Sequence, residues 1–82
     1  MPEEIASIVE DMRAGREIRF ADFCKVCEHD FGAPRQAGTS HRIYKTPWAG
    51  DPRVNIQSRK GKAKPYQVRQ VLRAIDRLQE SQ

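Results

Sequence analysis

Three groupings of residues in this 82-residue chain have types and spacing that could do chemistry. The first is His41, which directly follows Gly38, Thr39 and Ser40 and is flanked by Arg35, Arg42 and Lys45. An imidazole titrates near about pH 6.5, so it can give or take a proton close to neutrality. Neighbouring cations disfavour its charged form and favour the neutral base. A neutral base beside small hydroxyls and cations suits proton transfer at a phosphodiester. The competing reading is a strand histidine whose ring is hydrogen-bonded locally.

The second grouping is Cys24 and Cys27, a C-x-x-C with His29 close behind. That spacing raises redox or metal chemistry. A structural zinc needs four ligands, and no second histidine pair follows at zinc spacing. Both cysteines share a helical stripe with Phe20, Phe23 and Phe31, which favours their being small core hydrophobes. His29, late in its helix, is favoured there by the helix dipole and reads as structural. No metal and no cofactor is expected. The third grouping is a run of cations: Arg59, Lys60, Lys62 and Lys64, then Arg69, Arg73 and Arg77 at four-residue intervals. Lysine and arginine in such numbers neutralise phosphates and release counterions, giving affinity without sequence reading.

These groups must be held by a small set of elements. Residues 2–14 read as a helix, with Pro2 in its first turn, Glu3 and Glu4 at its positive end, and Ile5, Ile8, Val9 and Met12 as one apolar stripe. Gly15 is placed to stop it. Residues 20–31 read as a second helix ended by Gly32 and Pro34. Residues 35–45 read as strand, turn, strand, with the turn at Gly38, Thr39 and Ser40. Arg53 to Gln57 alternates, Val54 and Ile56 on one face and Arg53, Asn55 and Gln57 on the other. Residues 58–64 read as a basic loop around Gly61. Residues 65–79 read as the last helix, with Val68, Val71, Leu72, Ile75 and Leu78 as its buried stripe. The order α-α-β-β-β-α predicts an α+β two-layer sandwich, helices on one face of an antiparallel sheet and the other face free to dock.

Composition bounds the partner. Hydrophobic residues make up 38% and charged residues 32%, ordinary for a globular domain and too apolar for disorder. The length allows one domain over residues 1–82. No apolar stretch is long enough for a membrane span. The acidic opening Met1-Pro2-Glu3-Glu4 has no h-region of a signal peptide, so a cytoplasmic chain is expected. The net charge of +4 hides an asymmetry. Residues 1–30 carry four cations against eight acids, a net of −4, and residues 31–82 carry eleven against three, a net of +8. That is the footprint of a polyanion-binding surface, nucleic acid first and an anionic membrane a weaker second. Tyr44, Trp48 and Tyr66 are too few for a binder built on stacking platforms.

Gly38-Thr39-Ser40-His41-Arg42-Ile43-Tyr44 resembles the glycine-serine-histidine segment of the HicA toxin family. Arg19-Phe20-Ala21-Asp22-Phe23 with Phe31-Gly32, Lys45-Thr46-Pro47-Trp48 through Gln57, and Gly61 through Val71 extend the resemblance over about residues 19–78. It implies a double-stranded-RNA-binding-domain-like core, α-β-β-β-α, with the helix at 2–14 as an addition. It implies an mRNA-cleaving toxin neutralised by a HicB antitoxin, with His41 as the catalytic histidine. The chain departs from the family in that additional helix, in Thr39 between glycine and serine, and in Pro65-Tyr66-Gln67 at the start of the last helix.

The function expected on this reading is metal-independent, slow endoribonuclease activity. His41 takes the 2′-hydroxyl proton, and Lys45 and Arg35 stabilise the charged transition state. Thr39, Ser40, Arg42, Lys62, Lys64 and Arg69 contact RNA. A non-catalytic RNA-binding module of the same fold is the alternative, and a metal or redox protein using Cys24 and Cys27 a third. The acidic first helix is expected to shield part of the basic surface or to mediate dimerisation.

Overall fold

A computed structural model describes residues 2–34, 36–37, 41–46 and 53–80, with the backbone alone at 36, 37, 41 and 53. The expected Gly38–Ser40 turn and Trp48 lie outside the described residues, as do Arg35, Thr39 and Ser40. The described elements are α1 (Glu3–Arg13), α2 (Phe20–Phe31), β1 (Gln36–Ala37), β2 (His41–Lys45), β3 (Arg53–Arg59), β4 (Lys62–Ala63) and α3 (Pro65–Glu80). The chain is an α+β domain: an antiparallel sheet in the order β1-β2-β3-β4, with helices packed on one of its faces.

Each helix buries most of the stripe its sequence spells out, while Phe31, Leu72 and Leu78 are only partly buried. In α1, Ile5, Ile8, Val9 and Met12 are buried, Glu3 and Glu4 sit at the positive end and Arg13 at the negative end. In α2 the buried residues are Phe20, Phe23, Cys24, Val26 and Cys27, and in α3 they include Val68, Val71 and Ile75. The stripe of α1 is spent on the same core as Phe23, Val26 and Ile75, so the first helix is an integral part of the domain. Gly15 and Gly32 follow α1 and α2 at φ +76 and +86, backbone conformations that glycine adopts without a Cβ penalty.

The sheet shows strict alternation. Tyr44, Val54 and Ile56 are buried toward the helices, whereas Lys45 and Asn55 are exposed on the other face. The register pairs Tyr44 with Val54 and Arg42 with Ile56 on the helix side. It sets His41 with Gln57, Ile43 with Asn55 and Lys45 with Arg53 at the outward positions.

The expected basic loop at 58–64 is instead a hairpin. β3 runs on to Arg59, β4 returns at Lys62, and Lys60-Gly61 is a two-residue turn with φ of 54 and 79. Positive φ at both central residues is the signature of a type I′ turn, whose twist matches that of the strands it joins. Lysine is an uncommon occupant of the first position, which is why the sequence reads as a loop. The outer edge of β4 is closed by the chain between α1 and α2. Ala63 N–H donates to the Ile18 carbonyl at 2.8 Å and Phe20 N–H to the Gly61 carbonyl at 2.9 Å. Arg19 pairs with Lys62 as an isolated bridge, and Ile18 is buried beneath it.

No helix among the described residues is long and apolar enough to cross a membrane. A Cβ at Gly61 would meet no atom within 4 Å, so Gly61→Ala tests backbone conformation alone. We expect it to cost about 1 kcal/mol, seen as a lower denaturant midpoint. Lys60→Gly is expected to change stability by less than about 0.5 kcal/mol, since relief of the φ penalty offsets the added freedom of the unfolded chain.

Candidate functional site

His41 opens β2 and is paired with Gln57 of β3. Its side chain lies outside the described residues; its backbone position belongs to the outward face with 43 and 45. What surrounds that position is set by the point where β4 gives way to α3. After Ala63 the strand would continue opposite Gln57, but Pro65 starts the helix. The Lys64 carbonyl accepts the first helical bonds, from Gln67 N–H at 3.0 Å and Val68 N–H at 3.1 Å. The amide of Gln57 thereby lacks a strand partner, and the side chain of Gln67 supplies one: Gln67 Oε1 accepts from Gln57 N–H at 2.7 Å. Gln67 is buried to 4% exposure. Lys64 Nζ in turn donates to Gln57 Oε1 at 2.7 Å. Gln67 Nε2 donates to the exposed Tyr66 hydroxyl at 3.3 Å.

The outcome is a polar cluster, Gln57, Lys64, Tyr66 and Gln67, built on the strand position paired with His41. The first turn of α3 carries no acidic side chain, so its positive end is not neutralised from within the helix. A cation and a helix N-terminus at one place make an electropositive spot suited to a phosphate.

The residues expected to bind RNA divide among several surfaces. Lys45 is exposed on the outward face and has no ion-pair partner among the described residues. It stands four residues from His41 along one strand, a backbone span of about 13 Å. Lys64 lies nearer the strand position paired with His41. Arg42 points the other way: it alternates with Tyr44 toward the helices, and its Nη1 lies 3.4 Å from Glu28 Oε2. Lys62 is paired with Glu17 at 2.7 Å. Arg69 is exposed on α3 beside the hairpin, on the wall of a cleft. Arg35, Thr39 and Ser40 lie outside the described residues.

Gln57, Tyr66 and Gln67 are the members to which the sequence assigns no role. A glutamine in a first helical turn looks like ordinary surface. Only the preceding Pro65, which ends a strand one residue early, hints that a strand amide is left to satisfy.

Cys24 and Cys27 are free thiols, both buried in the helix-packed core. Burial pushes both thiols above their ordinary range, with the Arg42 cation opposing the effect at Cys24. Burial likewise pushes the Tyr44 hydroxyl up, against the pull of Arg42. A thiol held protonated is a poor nucleophile and a poor metal ligand. No group of three or more potential metal ligands occurs among the described residues. His29 Nδ1 lies 3.0 Å from Asp30 Oδ1, a local contact that fits its structural reading.

Gln67→Leu removes the acceptor from a largely sequestered strand amide and is expected to cost about 1–3 kcal/mol, measured by urea unfolding. The raised thiols give a pH dependence of definite sign. The folded chain keeps protons that the unfolded chain releases above the ordinary thiol value of 9.0, so stability is intact below that pH and declines above it. The thermal midpoint is expected to fall as pH rises past about 9, and to fall less in a Cys24→Ala, Cys27→Ala double variant. Compared with family models, curated proteins and solved structures, the chain matches none.

Proposed function

We propose that the chain is a metal-independent endoribonuclease of the HicA toxin type. On this reading α2 through α3 form a double-stranded-RNA-binding-domain-like core, His41 acts as the proton-transfer residue, and messenger RNA in the cytoplasm is the substrate. The observation that carries the proposal is the pairing of His41 with Gln57, whose side chain holds Lys64 Nζ at 2.7 Å. A histidine position, a held ammonium and an acid-free helix N-terminus converge there. Among the described residues the helices lie on one side of the sheet, and the outward side is the surface offered to a strand of RNA.

In the proposed reaction the neutral His41 imidazole takes the proton of a ribose 2′-hydroxyl. The 2′-oxygen attacks the adjacent phosphorus, the P–O5′ bond breaks, and the 5′-oxygen leaves with a proton from water or from Lys64. The products are a 2′,3′-cyclic phosphate and a 5′-hydroxyl. Lys64 and the positive end of the α3 dipole stabilise the extra negative charge on the non-bridging oxygens. Gln57 fixes where the ammonium sits. Lys45, farther along the strand, is suited to a neighbouring phosphate and contributes affinity. A nuclease of this kind needs restraint, and a HicB-like antitoxin with an acidic surface would be captured by the same cations.

His41→Ala is expected to lower cleavage of a single-stranded RNA by at least about 100-fold, and Lys64→Met by about 10- to 100-fold, with binding weakened only in the second. Product ends are read by treatment with a cyclic phosphodiesterase. If the parent chain binds RNA and yields no cyclic phosphate, it is a passive RNA-binding module. Undiminished cleavage by His41→Ala removes the histidine from the mechanism.

A further inference from the structure

One large concavity shares no residue with the cluster around His41. A cleft of about 640 Å³ opens between the end of α1, the connection to α2, the tip of the β3–β4 hairpin and the first turns of α3. Its floor is aliphatic: Met12, Ile18, Ala63, Val68 and Leu72. Its rim is cationic apart from Glu17, which is paired with Lys62. Arg59 and Lys60 come from the hairpin and Arg69 from α3, and none of the three has an ion-pair partner among the described residues. Three further cations line it, each already engaged: Arg13 by Asp76 at 2.7 Å, Arg16 by Asp11 at 3.0 Å and Lys62 by Glu17 at 2.7 Å.

This chemistry selects among occupants. The lining has no aromatic ring and no amide or hydroxyl side chain, so a nucleobase would find neither a stacking platform nor a partner for its edges. A bare phosphate chain would satisfy the rim and leave the aliphatic floor in water. The floor is recessed, so it offers no protruding apolar anchor to a lipid surface. A peptide that carries aliphatic side chains on one face and carboxylates along its borders satisfies both floor and rim. The volume lies within the usual range of ligand sites, about 300–1,000 Å³, and suits two or three aliphatic side chains. The rim is also pre-organised. The type I′ turn fixes the backbone that carries Arg59 and Lys60, and the bonds from Ala63 N–H to the Ile18 carbonyl and from Phe20 N–H to the Gly61 carbonyl hold that hairpin against the start of α2.

We infer that this cleft docks an acidic amphipathic segment of a partner protein. Its leucine-like side chains enter the floor between Ile18 and Leu72, and its aspartates or glutamates face Arg59, Lys60 and Arg69. The inference holds whether or not His41 cleaves RNA.

The test uses the full chain and a labelled synthetic peptide with leucines at i, i+3, i+4 and i+7 and glutamates elsewhere. Fluorescence anisotropy is expected to give a Kd of about 10 μM. The exposed double variant Lys60→Glu, Arg69→Glu, checked for folding by circular dichroism, is expected to weaken it at least about tenfold. The same peptide with lysines for glutamates is expected not to bind. Amide resonances of Ile18, Gly61, Ala63 and Arg69 should shift on titration, and His41→Ala should bind as the parent does. Failure to bind below about 1 mM overturns the inference. So does binding that survives charge reversal, or an RNA oligonucleotide that shifts the same amides and displaces the peptide.

Discussion

The architecture turns on the pairing of a two-residue strand. β4 is too short to persist on its own. It is held on one side by β3 and on the other by Ile18 and Phe20, through bonds of 2.8 and 2.9 Å. Those two bonds close a sheet edge that would otherwise present unpaired amides and carbonyls. They also fix where two elements begin: α2 starts at Phe20, whose amide is one of the donors, and α3 starts two residues beyond Ala63. The early start of α3 leaves the Gln57 amide to Gln67 and brings Lys64 beside the strand position paired with His41. The polar cluster and the cleft are thus two consequences of one short hairpin.

The charge asymmetry of the chain acquires a spatial meaning in the fold. Acids of the first half meet cations of the second: Glu17 takes Lys62 and Glu28 takes Arg42. Arg13 of the first half reaches Asp76, one of the few acids of the second. These are mostly exposed contacts that contribute little to stability. Their larger effect is on which cations remain available. Lys45, Arg59, Lys60 and Arg69 have no such partner among the described residues, and they fall on two surfaces, the outward sheet face and the hairpin cleft.

Much of this was legible in the sequence because it rests on periodicity. The stripes of Ile5 to Met12, Phe20 to Cys27 and Val68 to Ile75 place all three helices to within a residue or two, and the glycines after the first two mark their ends. The alternation of Val54 and Ile56 assigns the inner face of β3. What the sequence leaves hidden is tertiary. The same alternation puts Arg42 with buried Tyr44, but the charge around His41 suggests the opposite, and only the register decides. The hairpin at 59–62 is masked by a lysine at a left-handed position. The role of Gln67 depends on a strand amide ten residues away, which no local pattern announces. Around His41 itself, the expected contributions of Arg35, Thr39 and Ser40 fall outside the described residues.

The first helix has a consequence for how the domain can be shortened. Ile5, Ile8, Val9 and Met12 roof the same interior that Phe23, Val26 and Ile75 fill from below. A fragment trimmed to the two helices and sheet that suffice for the α-β-β-β-α plan would bare that interior as a continuous greasy seam. It would self-associate before it could be asked about RNA. The stretch from α2 to α3 is therefore not a separable unit in this chain, whose minimal folding body begins with its acidic helix.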